Sequence, residues 1–250
     1  MTAPDYESRE AVDQYLLFHY GSDEANLPWS FGPSGALRYP VRVVEALLDS
    51  SILPSGGKAL DIGCAVGASS FALAHRGLEV TGFDLSAALI KAANQITQGE
   101  IRDISIPRSG TLEETVSLIP PEKPVSGKVA FLVGDAMNPP TPAEPGNDVV
   151  LLANLIDRVP DPWKCLQEAI KRLRPGGQLL LASPYTWLES CAPPEKWLVR
   201  DKEPPLEVLQ RTIGKELKLA FRTDIPFLIR EHERKFQWSV AEGTRWIKSG

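Results

Sequence analysis

Between residues 59 and 70 the chain reads ALDIGCAVGASS, and Asp61, Gly63 and Gly67 have types and spacing that can do chemistry. An apolar run breaking into a glycine turn lets the backbone come close to a ligand, because glycine accepts positive φ and carries no Cβ. In open α/β sheets, ligands sit at such a turn, outside the carboxyl ends of the strands. The dinucleotide fingerprint there is Gly-x-Gly-x-x-Gly. This chain has Asp-x-Gly-x-x-x-Gly, with Cys64 after the first glycine and the middle glycine missing. A carboxylate beside the turn repels a diphosphate and suits a ligand that carries an ammonium and a sulfonium. Later positions continue the series. Asp84, followed by Leu85, ends the next apolar run, where a carboxylate accepts from both hydroxyls of a ribose. Asp135 and Ala136, in VGDAMN, stand where an adenine amino group is met. Asn154 and Asp157, in ANLIDRV, stand where such a ligand meets the molecule it acts on.

These residues need elements to carry them. Strand-like and helix-like stretches alternate from about residue 40. Helical periodicity runs over 41–53, 68–77, 86–97 (with Ser86 as N-cap) and 162–177, the last begun by Pro162 and ended by Pro175, Gly176 and Gly177. Short apolar strands are expected at 57–63, 78–84, 128–135, 147–155 and 178–184. This βαβα order predicts an α/β fold, a parallel sheet with helices on both faces. Residues 99–127, rich in Pro, Gly and charge, read as an inserted segment, a short hairpin. Residues 184–206, rich in Pro with two tryptophans, read as a long ordered loop beside the open end of the sheet.

Composition bounds the class. The 250 residues are expected to form one domain, with residues 1–40 as a segment on the substrate side. A net charge of −5 argues against a non-specific nucleic-acid binder. There is no run of 18 apolar residues for a membrane span and no signal-peptide pattern at the start. Cys64, Cys165 and Cys191 are odd in number and far apart, without metal spacing. The expectation is a cytoplasmic protein, monomer or homodimer, without disulfides or structural metal. Cys64 itself reads as a small buried residue.

The ligand that fits the turn, Asp84, Asp135 and Asn154 together is S-adenosyl-L-methionine (SAM), whose product is S-adenosyl-L-homocysteine. The ordered set, closed by LRPGG, resembles the class I SAM-dependent methyltransferases over about residues 40–240. That resemblance implies a Rossmann-like, mostly parallel seven-stranded sheet. An oxidoreductase binding NAD is disfavoured by the missing middle glycine. The strand end at Asn154 lacks the Pro-Pro-aromatic sequence of enzymes that methylate base amino groups, so a small-molecule acceptor is expected.

The flanks are more specific. YLLFHYG (15–21), GALRYPVR (35–42) and IPFLIREHERKFQW (225–238) resemble the methyltransferase domain at the C-terminal part of ovothiol synthase, the family of mercaptohistidine N-methyltransferases. The resemblance implies methylation of the ring nitrogen of 5-thiohistidine nearest the side chain, giving ovothiol A. It also implies a stand-alone enzyme, since this length holds no iron-dependent sulfoxide synthase module, with sulfur insertion done by separate proteins. An amino-acid acceptor needs a cation for its carboxylate, for which Arg42 and Arg230 are candidates. Tyr15, Tyr20 and Tyr39 can stack on or hydrogen-bond the ring. His232, His19 or Asp157 can take the proton, with His19, Asn154 and His232 also lining the acceptor. In REHER, Arg230, His232 and Arg234 share one side at strand period. Each has a plainer reading: an aromatic run is often core, and alternating charges often face solvent. Another small imidazole or thiol as acceptor, or a SAM-binding module without activity, remain alternatives.

Overall fold

The computed structural model describes residues 5–100, 103–122, 128–140, 146–199 and 202–250. The N-terminal part is helical: α1 (Arg9–Tyr20), α2 (Asp23–Asn26) and α3 (Tyr39–Leu47). Local chemistry sets their starts. Ser8 and Ser22 cap α1 and α2 through their hydroxyls, and Pro40 stands in the first turn of α3. Then come β1 (Lys58–Ile62), α4 (Ala68–Ala74), β2 (Glu79–Asp84), α5 (Ala87–Gln98), β3 (Asp103–Ser109), β4 (Leu112–Ser117), β5 (Lys128–Val133) and β6 (Asn147–Ala153). The chain ends with α6 (Pro162–Arg172), β7 (Leu173–Ser183), α7 (Pro205–Ile213), β8 (Leu217–His232) and β9 (Lys235–Lys248).

Seven strands form one sheet in the order β5-β2-β1-β6-β7-β9-β8, with β9 antiparallel to both neighbours and the other pairs parallel. β6 is apolar and buried along almost its whole length because both faces are covered. One face packs on α6 and α7 through Leu152, Leu166, Leu181 and Trp246. The other packs on α3 and α4 through Val43, Leu47, Leu73 and Leu151. The expected seven-stranded α/β sheet is therefore present. No helix among the described residues is long and apolar enough to cross a membrane.

Several boundaries differ from the sequence expectation. The helix expected over 162–177 stops at Arg172, and LRPGGQLLLAS is a single strand. Pro175 has no N–H and pushes Arg174 into extended backbone, so the helix cannot reach it. Residues 41–53 divide into α3, which starts at Tyr39, and a 3-10 turn at Ser50–Ile52. The insertion holds the β3/β4 hairpin over 103–117, while 101–102 and 123–127 lie outside the described residues. This hairpin is a brace. Ile104, Ile106 and Leu118 pack on Leu16, Leu17 and Tyr20 of α1. The loop expected at 184–206 contains a 3-10 turn at Pro194–Lys196 and gives way to α7 at Pro205. Arg234 sits in the β8/β9 turn, and a register shift falls between Arg230 and His232, so REHER does not keep the strand period.

The β8/β9 hairpin is longer than its neighbour. β7 ends at Ser183, paired with Glu242, which pairs with Asp224; eight residues of β8 lie beyond that level. This overhang is tied to the start of the chain. Gln14 Nε2 donates to the Arg230 carbonyl at 3.0 Å, and Arg230 pairs with Glu114 of β4 at 2.6 Å.

The glycines of the turn are fixed by packing as much as by any ligand. Gly63 and Gly67 have φ of 73° and 94°. A Cβ on Gly67 would lie 2.3 Å from Cζ of Phe131, and one on Gly63 would lie 2.8 Å from Cδ1 of Leu155. The space that glycine frees is filled by core side chains. Gly67→Ala is expected to destabilise the fold by about 1–3 kcal/mol, from positive φ and from overpacking against a rigid ring. Urea unfolding measures it, and an unchanged midpoint would remove the packing constraint.

Candidate active site

The parallel strands end together, and their ends define the site. β1 leads to a reversal at Gly63, Ala65 and Gly67, all at positive φ. The reversal is held from three directions. Gly63 N–H and Cys64 N–H donate to the Phe83 carbonyl at 2.8 and 3.1 Å. Ala65 N–H donates to Oδ2 of Asp84 at 3.0 Å. From α1, the Tyr20 hydroxyl donates to the Val66 carbonyl at 2.7 Å, and Nδ1 of His19 accepts from Ala68 N–H at 3.2 Å.

Asp61 lies behind this turn. It is 1% exposed and accepts from the Ser70 hydroxyl at 2.6 Å. Burial pushes its carboxyl up to about 7, opposed by the Ser70 bond and aided by the charge of Asp84. Asp84 also accepts from Ser86 N–H at 3.0 Å. Burial raises its pKa despite these N–H donors. Beside it the Leu85 side chain is 72% exposed, an apolar surface of the kind a purine ring covers. Asp135 accepts from Met137 N–H at 2.9 Å, and Ala136 is buried behind it. Asn154 stands at φ 53° and accepts from the Tyr39 hydroxyl at 2.8 Å. The strand ends thus bring together Asp61, Gly63, Cys64, Gly67, Asp84, Leu85, Asp135, Ala136 and Asn154. Asp61 and Cys64 are sealed beneath the turn, and the remaining groups fit SAM. Asp84 would hold the ribose, Leu85 and Asp135 the adenine side, and the turn and Asn154 the methionine part. Cys64 is 3% exposed and burial pushes its thiol up, so it is a packing residue.

The acceptor residues expected from sequence are distributed otherwise. Tyr20 and His19 brace the turn from behind. His19 is pushed down to about 3 by burial, so it is neutral near pH 7 and a poor base. Arg42 donates to the carbonyls of Leu37, at 2.7 Å, and Pro226. Arg230, 5% exposed, is engaged by Glu114 and by the Ala25 carbonyl at 2.6 Å. Both arginines are thus engaged by backbone carbonyls, and Arg230 by Glu114 as well. His232 sits at the hairpin tip, where Nδ1 accepts from Arg234 N–H at 3.2 Å, about 26 Å of strand beyond the level where β7 ends. Asp157 is 2% exposed, accepts from Thr186 N–H at 2.9 Å and lies 3.5 Å from Arg158. Burial raises its pKa, but a carboxylate sealed this far cannot reach a substrate proton. His19 is thus bonded into the turn, Asp157 is sealed, and His232 stands at the hairpin tip. Tyr39 is buried between Phe18 and Phe227, its hydroxyl given to Asn154, so it positions that residue.

Tyr15 has a partner that sequence reading missed. The hydroxyls of Tyr15 and Tyr6 share a hydrogen bond, with the rings edge-on at 5.8 Å. Burial raises both pKa values, and both hydroxyls lie in the fields of Asp84 and Arg158. The segment before α1 is fastened beside the same strand end. Glu7 accepts from Ala87 and Ala88 N–H at 2.9 and 3.2 Å, and the Ser86 hydroxyl donates to the Tyr6 carbonyl at 2.9 Å. Past the end of β7, Tyr185, at φ 52°, begins a stack of Tyr185, Trp187 and Trp197 with centroids 6.2 and 6.1 Å apart. The one signal for Arg158 was its place next to Asp157.

A mostly parallel sheet with one reversed strand, a glycine turn after β1 and an acidic end to β2 define a class I SAM-dependent methyltransferase fold. Residues 60–181 match the family described as a methyltransferase domain. The chain is 30% identical to the ubiquinone biosynthesis O-methyltransferase of Psychrobacter arcticus over 129 residues, 52% of this chain and 41% of that one. It is 24% identical to that of Coxiella burnetii over 180 residues, 70% of this chain and 64% of that one. It thus spans less than two thirds of these relatives. Among solved structures, magnesium protoporphyrin IX methyltransferase from Synechocystis with bound SAM superposes with a TM-score of 0.58 at 15% identity, covering 98% of this chain and 94% of that one. A cyclase superposes with a TM-score of 0.55 at 16% identity, covering 100% and 98%, so the fold alone does not name a reaction.

Two outcomes are expected. Asp84→Asn weakens binding of S-adenosylhomocysteine by about 1–3 kcal/mol, the worth of a charge-assisted hydrogen bond, in titration calorimetry. Unchanged affinity would take Asp84 out of the site. Asp61 holds its proton to about pH 7 in the fold and to near its ordinary value of 3.8 when unfolded. Its contribution is complete below about pH 4 and is lost as pH rises toward 7. Asp61→Asn should flatten the stability profile across that window in urea unfolding at stepped pH, whereas a parallel profile would refute the shift.

Proposed function

We propose that the protein is a SAM-dependent N-methyltransferase that methylates the side-chain-proximal ring nitrogen of 5-thiohistidine, giving ovothiol A. The observation that carries this reading is the acceptor side of the site. Arg158, past the end of β6, is held by the Thr186 carbonyl between Tyr185 and Trp187 of an aromatic stack, and its charge acts on the Tyr6–Tyr15 pair from the start of the chain. Such a wall suits a small, flat, charged amino acid better than a long apolar one. The likeness of the flanking segments 15–21, 35–42 and 225–238 to mercaptohistidine N-methyltransferases supports the same acceptor.

Bound at the strand ends, SAM supplies an electrophilic methyl group on a sulfonium. The chain's part is positioning. Asp84 and the turn fix the adenosine end, Asn154 is oriented by Tyr39, and the aromatic walls exclude water and hold the ring. Proximity and alignment carry most of the rate in an in-line displacement. The thiolate of the acceptor already enriches its ring nitrogens, which agrees with a site whose histidines are engaged elsewhere.

A second reading rests on the relatives named for O-methylation in ubiquinone biosynthesis, and takes a phenol as the acceptor. Incubation with SAM and either 5-thiohistidine or a catechol, read by mass spectrometry, separates them. The expected result is one methyl on the thiohistidine ring and none on the catechol. Methylation of the catechol alone would replace the acceptor. Binding of S-adenosylhomocysteine with no transfer to either would leave a cofactor-binding module.

A further inference from the structure

The two arginines that sequence reading offered to a substrate carboxylate are both committed to structural contacts, which leaves an anionic acceptor without a cation unless another group serves. We infer that Arg158 is the residue that recognises the carboxylate of the acceptor, and that Asp157 is the positioning residue that aims it. The inference rests on the amino-acid acceptor proposed above.

Arg158 follows the end of β6, and its side chain is 25% exposed while that of Asp157 is sealed at 1%. All its hydrogen bonds to described residues leave from one nitrogen. Nη1 donates to the Thr186 carbonyl at 2.5 Å and to the Asp157 carbonyl at 3.4 Å. The Asp157 carboxylate lies 3.5 Å from that same nitrogen and is itself fixed by Thr186 N–H. One edge of the guanidinium is thus clamped, leaving Nε and Nη2 for an incoming group. Guanidinium presents donors in a fixed fork, which matches a carboxylate in a bidentate pair. The group lies close enough to Tyr6 and Tyr15 for its charge to act on both hydroxyls, which are also in the field of Asp84. Contacts that hold an arginine before binding reduce the ordering cost when the anion arrives.

The test uses the full chain, with 5-thiohistidine and the amine that remains when its α-carboxylate is removed. The wild-type protein should prefer the amino acid. In Arg158→Met, KM for 5-thiohistidine should rise by about 10- to 150-fold, the range for hydrogen bonds to a charged group. KM for the amine should stay, kcat should change little, and affinity for S-adenosylhomocysteine should be unaltered. Arg158→Lys should keep part of the preference. If Arg158→Met does not fold, Arg158→Lys decides: raised KM at constant kcat supports the assignment, and unchanged KM overturns it. A preference that survives in Arg158→Met overturns it. An equal loss of S-adenosylhomocysteine affinity also overturns it and gives Arg158 to the cofactor. If the wild-type protein methylates no thiohistidine, the reading of the acceptor fails first, and this assignment with it.

Discussion

The reversal after β1 is the constraint on which the site depends. Within five residues the chain takes positive φ at Gly63, Ala65 and Gly67, and one of these is not glycine. A strained alanine persists only where its surroundings over-determine it. Asp84 does this from the next strand by accepting the Ala65 N–H, while the same carboxylate faces the cofactor side. Tyr20 does it from α1. The geometry that presents backbone to a ligand and the carboxylate that would receive the ribose are therefore one hydrogen-bonded unit. Changing either disturbs both.

The polar groups fall into two kinds. Asp61, Asp157 and Arg230 are deeply buried and bonded within the protein, and they set shape. Arg158, Tyr6 and Tyr15 are less enclosed, and the charge of Arg158 acts on both tyrosine hydroxyls. Buried charges must be paired or neutralised. Asp61 is kept protonated toward neutrality by its surroundings, and Arg230 has Glu114. Residue type alone does not separate these kinds; what packs over each side chain does.

That difference explains what was legible in the sequence. The glycine turn, Asp84, Asp135 and Asn154 were readable because each lies at a strand end set by local pattern. The sheet was readable because alternating apolar runs and helices leave few arrangements. Arg42 and Arg230 were misplaced because their partners, Pro226 and Ala25, lie 184 and 205 residues away. His19 and Tyr20 carry the right chemistry for a site, yet their contacts put them behind the turn. The strand starting at Leu173 was hidden by a helical pattern that runs up to Pro175. Arg158 had no periodic signal, and Tyr6 lies before the first helix.

The overhanging β8/β9 hairpin has a consequence for how the protein is made. α1 is made before the groups that hold it: Leu118 of the insertion and the Arg230 carbonyl are synthesised roughly a hundred and more than two hundred residues later. The strands from β1 to β7 can pair before β9 exists, since their order does not require it. The brace on α1, by contrast, closes a loop of 216 residues between Gln14 and Arg230. Contacts of this span form late, because loop closure must precede any gain from them. The strands from β1 to β7 are thus able to pair during synthesis, while the brace on α1 waits for β8.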